Sequence, residues 1–277
     1  MTKAVPAWED PRRTMKRHGL APKRRFSQNF LVSRHAVDSI VRAVAPSPGQ
    51  RCVELGPGLG TLTAALLREG AEVVAIDQDR DMLRVLETEL GHVEALTVVE
   101  GDAASVDLSQ LAPDGPISVV GNLPYAITGA ILRNLTTHRA HVSHAVIMVQ
   151  REVGLRLAAT PGNKTYGAAT VFAQAAFEIE TVLKVSRGSF HPPPKIDSVV
   201  LRLRTDGAPR AEETDAFRAI VKAAFGRRRK TLRNALSSLE GAEQALGDAG
   251  IDSKRRAETL SVEELAELAR VWEEIAP

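Results

Sequence analysis

Cysteine is almost absent: Cys52 is the one in 277 residues. The chain therefore forms no internal disulfide and no cysteine cluster for zinc, so no metal is expected, and a reducing compartment, the cytoplasm, fits best. Aromatic residues are scarce at 4%, so Phe26, Phe30, Tyr125, Tyr166 and Phe190 stand out where they fall inside motifs. No apolar run approaches the ~18 residues that would span a bilayer. Residues 1–32 lack the apolar core of a signal peptide, and Glu9 and Asp10 argue against a transit peptide. Internal repeats and low-complexity blocks are also missing. Net charge is only +2, so any anionic partner must be recognised through local patches rather than through the charge of the whole.

With 44% apolar residues in 277 positions, the chain can bury a sizeable core and suits a domain of moderate size plus a smaller one. The expected boundaries are a basic arm over 1–32 without a stable element, a main domain over 33–205 and a helical domain over 206–277. Basic residues cluster in two places. Lys16, Arg17, Lys23, Arg24 and Arg25 lie in the arm, and Arg227, Arg228, Arg229, Lys230 and Arg233 form the second group. Such patches suit phosphate partners, although a solvated tail or helix face has the same composition.

Residues 52–63 organise the rest. A short apolar run from Cys52 leads into Gly56, Gly58 and Gly60, and a helical pattern follows through Leu62, Leu66 and Leu67. Glycines at such a strand-to-helix turn permit positive φ and let a ligand lie against the backbone and the helix N-terminus. The spacing differs from the Gly-x-Gly-x-x-Gly of dinucleotide enzymes, which favours an adenosyl cofactor without a pyrophosphate. A second strand then ends in Asp77, where doubly wound folds bind a ribose, and a third leads to Asp102, an acceptor for an adenine amino group.

Further strands are expected over 117–120, 145–149 and 197–204, with helices between the earlier ones. That alternation implies an α/β, doubly wound, mainly parallel sheet with crossover helices. Ligands bind at the carboxyl ends of its strands, where Gly56, Asp77, Asp102 and Asn122 fall.

The most specific stretch is Asn122-Leu123-Pro124-Tyr125. An adenine amino nitrogen is a poor nucleophile because its lone pair is delocalised into the ring. The Asn122 side-chain oxygen and the Leu123 carbonyl can accept its hydrogens and orient it. Pro124 stiffens the turn, and Tyr125 offers a face for a flipped-out base. Orientation and electrostatics then suffice, with no general base.

These blocks, together with Gln28-Asn29-Phe30-Leu31, Lys164-Thr165-Tyr166-Gly167, Phe190-His191-Pro192-Pro193-Pro194-Lys195 and Arg228-Arg229-Lys230-Thr231-Leu232-Arg233-Asn234, resemble the ribosomal-RNA small-subunit adenine N6,N6-dimethyltransferase family from about Phe26 to the C-terminus. The resemblance implies a Rossmann-like, S-adenosylmethionine-dependent enzyme that dimethylates two adjacent adenosines near the 3′ end of 16S rRNA. Its partner is then the rRNA of a pre-30S particle, with no membrane and with the protein as a monomer. By the same resemblance Gln28, Asn29, Leu31, Gly56, Gly58, Asp77, Asp102 and Asn122 bind the cofactor, and Asn122 to Tyr125 form the catalytic motif. Phe190 is similar to a second aromatic facing Tyr125 across the base, whereas its neighbours alone make it an anchor for the Pro192–Pro194 loop. Two positions depart from the family pattern: Asp77 replaces a longer glutamate, and Ala126 replaces an asparagine. The related family that methylates large-subunit rRNA and an RNA-binding assembly factor remain the competing readings.

Beyond a linker at 205–209 the pattern is helical. Phe217, Ile220, Val221 and Ala224 form one stripe, and Leu232, Leu236 and Leu239 another. Ser261 and Glu264 make a capping box for a last helix carrying Leu265, Leu268 and Trp272. The basic run at 227–230 is expected to open a helix, where cations oppose the dipole, and so to contact phosphate.

Overall fold

The computed structural model describes residues 4–23, 26, 28–205, 207–227 and 229–275. The chain forms two compact units, residues 1–154 with 180–204 and residues 155–179 with 205–277.

The larger unit is built on a sheet whose strands are β2 (Arg51–Leu55), β3 (Glu72–Asp77), β4 (Leu96–Glu100), β5 (Ile117–Asn122), β6 (Val142–Gln150), β7 (Glu178–Val185) and β9 (Ser198–Arg204). Their order is β4-β3-β2-β5-β6-β9-β7. The pairs β2·β3, β2·β5, β3·β4 and β5·β6 are parallel, and β9 runs antiparallel to β6. A separate ribbon joins β1 (Phe30–Leu31) to β8 (Phe190–His191), with Leu31 opposite Phe190. The strand order reverses between β2 and β5, which is where an open sheet of this kind leaves a crevice at its carboxyl edge.

The central strands read as nearly continuous apolar runs because crossover helices cover the sheet. Cys52, Val53 and Leu55 of β2 and Val119 and Val120 of β5 are all buried. Helix α2 (Arg34–Val44) starts at Ser33, whose hydroxyl accepts from the Ala36 N–H at 3.3 Å, and buries Val37, Ile40, Val41 and Val44. Helices α3 (Thr61–Arg68) and α4 (Arg80–Leu90) follow β2 and β3, and Asp79 caps α4. Helices α5 (Thr128–Thr137) and α6 (Arg151–Leu157) come after β5 and β6. Strand β7 falls outside the strands expected from the sequence. It borders only β9, and its side chains are mostly half-exposed, so burial imposes little apolar pattern on it.

The arm is not free of stable structure. Asp10 caps a helix α1 (Pro11–Arg17) with proline in its first turn, the pairing that favours a helix start. Seven residues make a marginal helix alone. Here Met15 packs with Phe30, Leu59, Met82 and Val85, and Arg17 bridges Glu9 at 2.7 Å and Glu89 at 3.0 Å. Tertiary contacts of that kind carry no local sequence signal.

The smaller unit gathers α7 (Ala168–Ala176), α8 (Asp215–Gly226), α9 (Leu232–Ala235), α10 (Ala242–Asp248) and α11 (Val262–Ile275) around one core. The expected boundaries, 1–32, 33–205 and 206–277, differ from this division in two segments, since the arm is part of the larger unit and residues 155–179 leave it. Residues 155–179 are assigned to the smaller unit, because Tyr166, Val171 and Ala175 pack with Phe217, Ile220 and Leu265. The capping box holds: Ser261 N–H donates to Glu264 at 2.8 Å, and Glu264 N–H donates to the Ser261 hydroxyl at 3.1 Å.

Gly121 shows how tightly the strand ends are joined. A Cβ there would lie 2.5 Å from the Leu55 carbonyl oxygen and 2.9 Å from the Leu123 side chain. The first contact is with backbone, which cannot swing away. Gly121→Ala is expected to lower the unfolding free energy by about 1–3 kcal/mol, the range for overpacking, as measured by denaturant unfolding; an unchanged midpoint would show that β2 and β5 can separate.

Candidate active site

The carboxyl ends of β2, β3 and β5 surround a cavity of about 330 Å³. Gln28, Asn29, Leu31, Gly56, Gly58, Asp77, Asn122, Leu123, Pro124 and Tyr125 all line it. Two expected residues do not. Asp102 is exposed and accepts from the Ala104 N–H at 2.9 Å and from Gln78 Nε2 at 3.2 Å, while its neighbours Gly101 and Ala103 reach the cavity. Phe190 is buried in the main core beside Leu31, so no base can stack on its ring without rearrangement. Arg24, Arg25 and Arg228 lie outside the described residues.

The glycine turn has the backbone its sequence demands. Gly56, Gly58 and Gly60 have φ of 72°, 54° and 76°, values that L side chains seldom adopt. A Cβ on Gly58 would come within 3.1 Å of the Phe30 ring. The Gly58 N–H faces Asp77 Oδ2 at 3.4 Å, and Asp77 Oδ1 accepts from the Asp79 N–H at 2.9 Å. The arm closes one wall of the cavity. Gln28 Nε2 donates to Asp79 at 2.7 Å, and Lys23 bridges Asp79 and Asp81.

At the end of β5 the Asn122 amide is oriented by the arm. Its Nδ2 donates to the Asn29 carbonyl at 3.0 Å, and among the described residues its side chain forms no other hydrogen bond. The amide oxygen is therefore the end left to accept. Pro124 follows with φ of −59°. The Tyr125 hydroxyl meets the Ser198 hydroxyl at 2.8 Å. Burial pushes the Tyr125 phenol above its usual pKa, partly offset by that hydrogen bond, so it stays neutral.

The basic run is placed differently from its expectation. Residues 227–230 follow the C-terminus of α8 and precede the short α9. Cations complement the dipole at a helix C-terminus, so the dipole gives no argument against a structural role there. Arg227, Arg229, Lys230 and Arg233 are exposed. Arg227 donates to the Asn234 carbonyl at 3.4 Å, and Arg233 pairs with Glu243 at 3.0 Å.

Sequence reasoning passed over Glu54 as a side chain, although an acid inside an apolar strand is itself a signal. Glu54 is 2% exposed, lines the cavity and accepts from the Thr63 hydroxyl at 2.6 Å. Burial pushes its carboxyl up to about 7, with the Asp77 charge adding to the rise and the Thr63 hydrogen bond opposing it. Burial raises the Asp77 carboxyl as well. Because the folded state holds a proton on Glu54 that the unfolded chain releases near 4.5, stability falls as pH rises from about 4.5 to about 7. A shift of that size corresponds to on the order of 3 kcal/mol. Glu54→Gln is expected to flatten this part of the pH–stability curve, read from unfolding midpoints between pH 5 and 8; an unaltered slope would place the titration elsewhere.

Comparison with known proteins agrees with this geometry. The model of a family described as ribosomal RNA adenine dimethylase matches residues 19–274. A ribosomal RNA small subunit methyltransferase A from Myxococcus xanthus is 46% identical, over 97% of each chain. The protein of the same name from Syntrophotalea carbinolica is 46% identical over 90% of this chain and 96% of its own. Among solved structures, a dimethyladenosine transferase from Plasmodium falciparum aligns with a TM-score of 0.74 at 25% identity, over 86% of this chain and 95% of that one. The 23S rRNA methyltransferase ErmE aligns with a TM-score of 0.70 at 26% identity, over 88% of this chain and 100% of its own. With its parallel sheet, its glycine turn and its Asn-Leu-Pro-Tyr corner at one cavity, and a family match across most of its length, this chain belongs to the ribosomal RNA adenine dimethylase family.

Proposed function

We propose that this protein transfers methyl groups from S-adenosylmethionine to N6 of two adjacent adenosines near the 3′ end of 16S rRNA. It would act in the cytoplasm, as a monomer, on a pre-30S particle during small-subunit assembly. The observation that carries this reading is the Asn122 amide, whose nitrogen is tied to the Asn29 carbonyl at the rim of the cavity. An amide held that way presents an acceptor to an amino group and cannot turn to present a donor.

The cavity suits the cofactor. Gly56 and Gly58 leave backbone exposed where a side chain would fill the space. Asp77 is placed for ribose hydroxyls, and Asn29, Leu31 and the backbone at Gly101 and Ala103 complete the walls. Asp102 itself would contribute only through a change in its side chain. When bound, S-adenosylmethionine supplies an electrophilic methyl group on a sulfonium.

The protein's part is orientation. Asn122 Oδ1 and the Leu123 carbonyl accept the two N6 hydrogens, which turns the lone pair out of conjugation with the ring. Pro124 holds the turn, and the Tyr125 ring carries the base. With the cofactor bound, these residues would hold the lone pair in line with the methyl group to be transferred, the leaving thioether would take the electrons of the broken bond, and the proton lost from nitrogen would pass to water. The once-methylated nitrogen keeps one hydrogen, so the second transfer uses only one of the two acceptors. Phe190, paired with Leu31 of β1 and buried in the core, supports the arm rather than the base. Arg227, Arg229, Lys230 and Arg233 contact phosphates, with Arg24, Arg25 and Arg228 as further candidates from sequence.

Relatives named for the small subunit favour that RNA over the large-subunit alternative; the fold alone does not separate them, since both solved relatives align closely. Incubation with labelled S-adenosylmethionine and, separately, unmethylated small and large subunits, followed by primer extension, is expected to give a stop at paired adenines near the small-subunit 3′ end. Label confined to the large subunit, or absent from both, would reject the proposal. Asn122→Ala is expected to slow transfer by about 100-fold, the scale of one lost preorganised group, with RNA affinity kept.

Alanine at Arg227, Arg229 and Lys230 is expected to weaken RNA binding and to reduce the slope of log affinity against log salt by about one for each phosphate that loses its cation. An unchanged slope in a filter-binding titration would leave these residues as a solvated surface.

A further inference from the structure

Tyr125 is anchored by a residue far from it in sequence. It sits in a single turn, Tyr125–Ile127, just after β5, and among the described residues no other aromatic ring packs on it. Tyr125 lines the cavity, and its hydroxyl meets that of Ser198 in β9 at 2.8 Å. Ser198 is 1% exposed, and among the described residues the phenol is the sole hydrogen-bond partner of its side chain. A small apolar residue would satisfy packing at this strand position, so only Tyr125 accounts for the hydroxyl.

Ser198 is itself held firmly. It stands opposite Gln150 in the antiparallel β6·β9 pair. The preceding Asp197 takes the Arg151 N–H on its carbonyl at 3.0 Å and the Arg187 N–H on its carboxylate at 3.0 Å. We propose that Ser198 is a positioning residue for methyl transfer, its hydroxyl fixing the angle of the Tyr125 ring against which the target adenine stacks. This rests on the reading that Tyr125 carries the base. Pro124 constrains the backbone of the turn, but the side-chain torsions of Tyr125 need a second point of attachment, and misplacement by about 1 Å is enough to slow a positioned reaction severely.

The test uses the full chain with unmethylated small subunits and compares Tyr125→Phe, Ser198→Ala, the double variant and Tyr125→Ala. Removing either hydroxyl is expected to lower kcat by about tenfold while KM for the subunit and cofactor affinity by calorimetry stay within about twofold. The double variant is expected to be no slower than either single one, because both remove the same hydrogen bond. Tyr125→Phe keeps the ring and alters no buried strand, so it remains informative if Ser198→Ala folds poorly. Wild-type kcat in Tyr125→Phe, losses that multiply in the double variant, or a raised KM at unchanged kcat would each overturn the inference. If Tyr125→Ala is slow while both hydroxyl deletions are not, stacking stands and the tether falls. If Tyr125→Ala is as fast as wild type, the stacking role falls with it.

Discussion

The close approach of β2 to β5 at their carboxyl ends is the constraint on which the site depends. Gly121 has no side chain, so the Leu55 carbonyl can sit where a Cβ would otherwise be. One residue further along each strand, the glycine turn begins and the Asn122 corner forms. A Cβ on Gly56 would meet Pro124 at 3.8 Å and the Asn122 carbonyl at 3.9 Å. The cofactor-type turn and the base-type corner are thus neighbours because the two strands pair in parallel, Cys52 opposite Ser118 through Glu54 opposite Val120. Parallel register brings both carboxyl ends to one edge, and the missing side chain lets them come near enough to share a cavity.

That arrangement concentrates acids where water is excluded. Glu54 and Asp77 are on adjacent strands and both are raised by burial; the Asp77 charge adds to the rise at Glu54, and the Asp79 charge adds to the rise at Asp77. A chain selected for stability alone would place apolar residues there. Departures from local consistency of this kind gather at functional sites. The Thr63 hydroxyl and the backbone N–H groups of Gly58 and Asp79 provide partial compensation. A bound cation would offset the remainder, and the sulfonium of the proposed cofactor is one.

Much of this was legible before the structure. The glycine spacing, the strand ending in Asp77 and the Asn122 corner are local patterns, and local patterns survive folding. Legibility failed where the deciding contact is remote. Phe190 reads from its own neighbours as an anchor for the proline loop, and its burial agrees with that; the stacking role that the family resemblance implies does not fit, because β8 pairs with β1 across about 160 intervening positions and draws the ring into the core. Asp102 reads as a strand-end ligand, but the strand stops at Glu100 and the carboxylate turns back onto the Ala104 N–H. The helix α1 and the edge strand β7 depend on neighbours that no window contains. The basic run at 227–230 lies between the end of α8 and the N-cap of the four-residue α9 rather than within the first turn of a helix, a difference of a few residues that removes the dipole argument. Segment 155–179 joins the smaller unit through Tyr166 and its neighbours, with no glycine- or proline-rich linker to mark the crossing.

A mechanism without a general base places its whole burden on geometry, and geometry must come from elements that do not move. The tetrapeptide at 122–125 is a corner rather than a strand, so it cannot supply that rigidity alone. Its first residue is tied to the Asn29 carbonyl, and Asn29 is held because the adjoining β1 pairs with β8 and the Val32 N–H donates to Ser189 at 2.8 Å. Its last residue is tied to Ser198, which begins the long antiparallel β6·β9 pairing. The two ends of the corner therefore hang from two different ribbons, and both ribbons return through the stretch from residue 190 to residue 198. In the proposed mechanism, the chain beyond the parallel strands would thereby fix the angle between an acceptor and a ring, the quantity on which transfer to a reluctant nitrogen would depend.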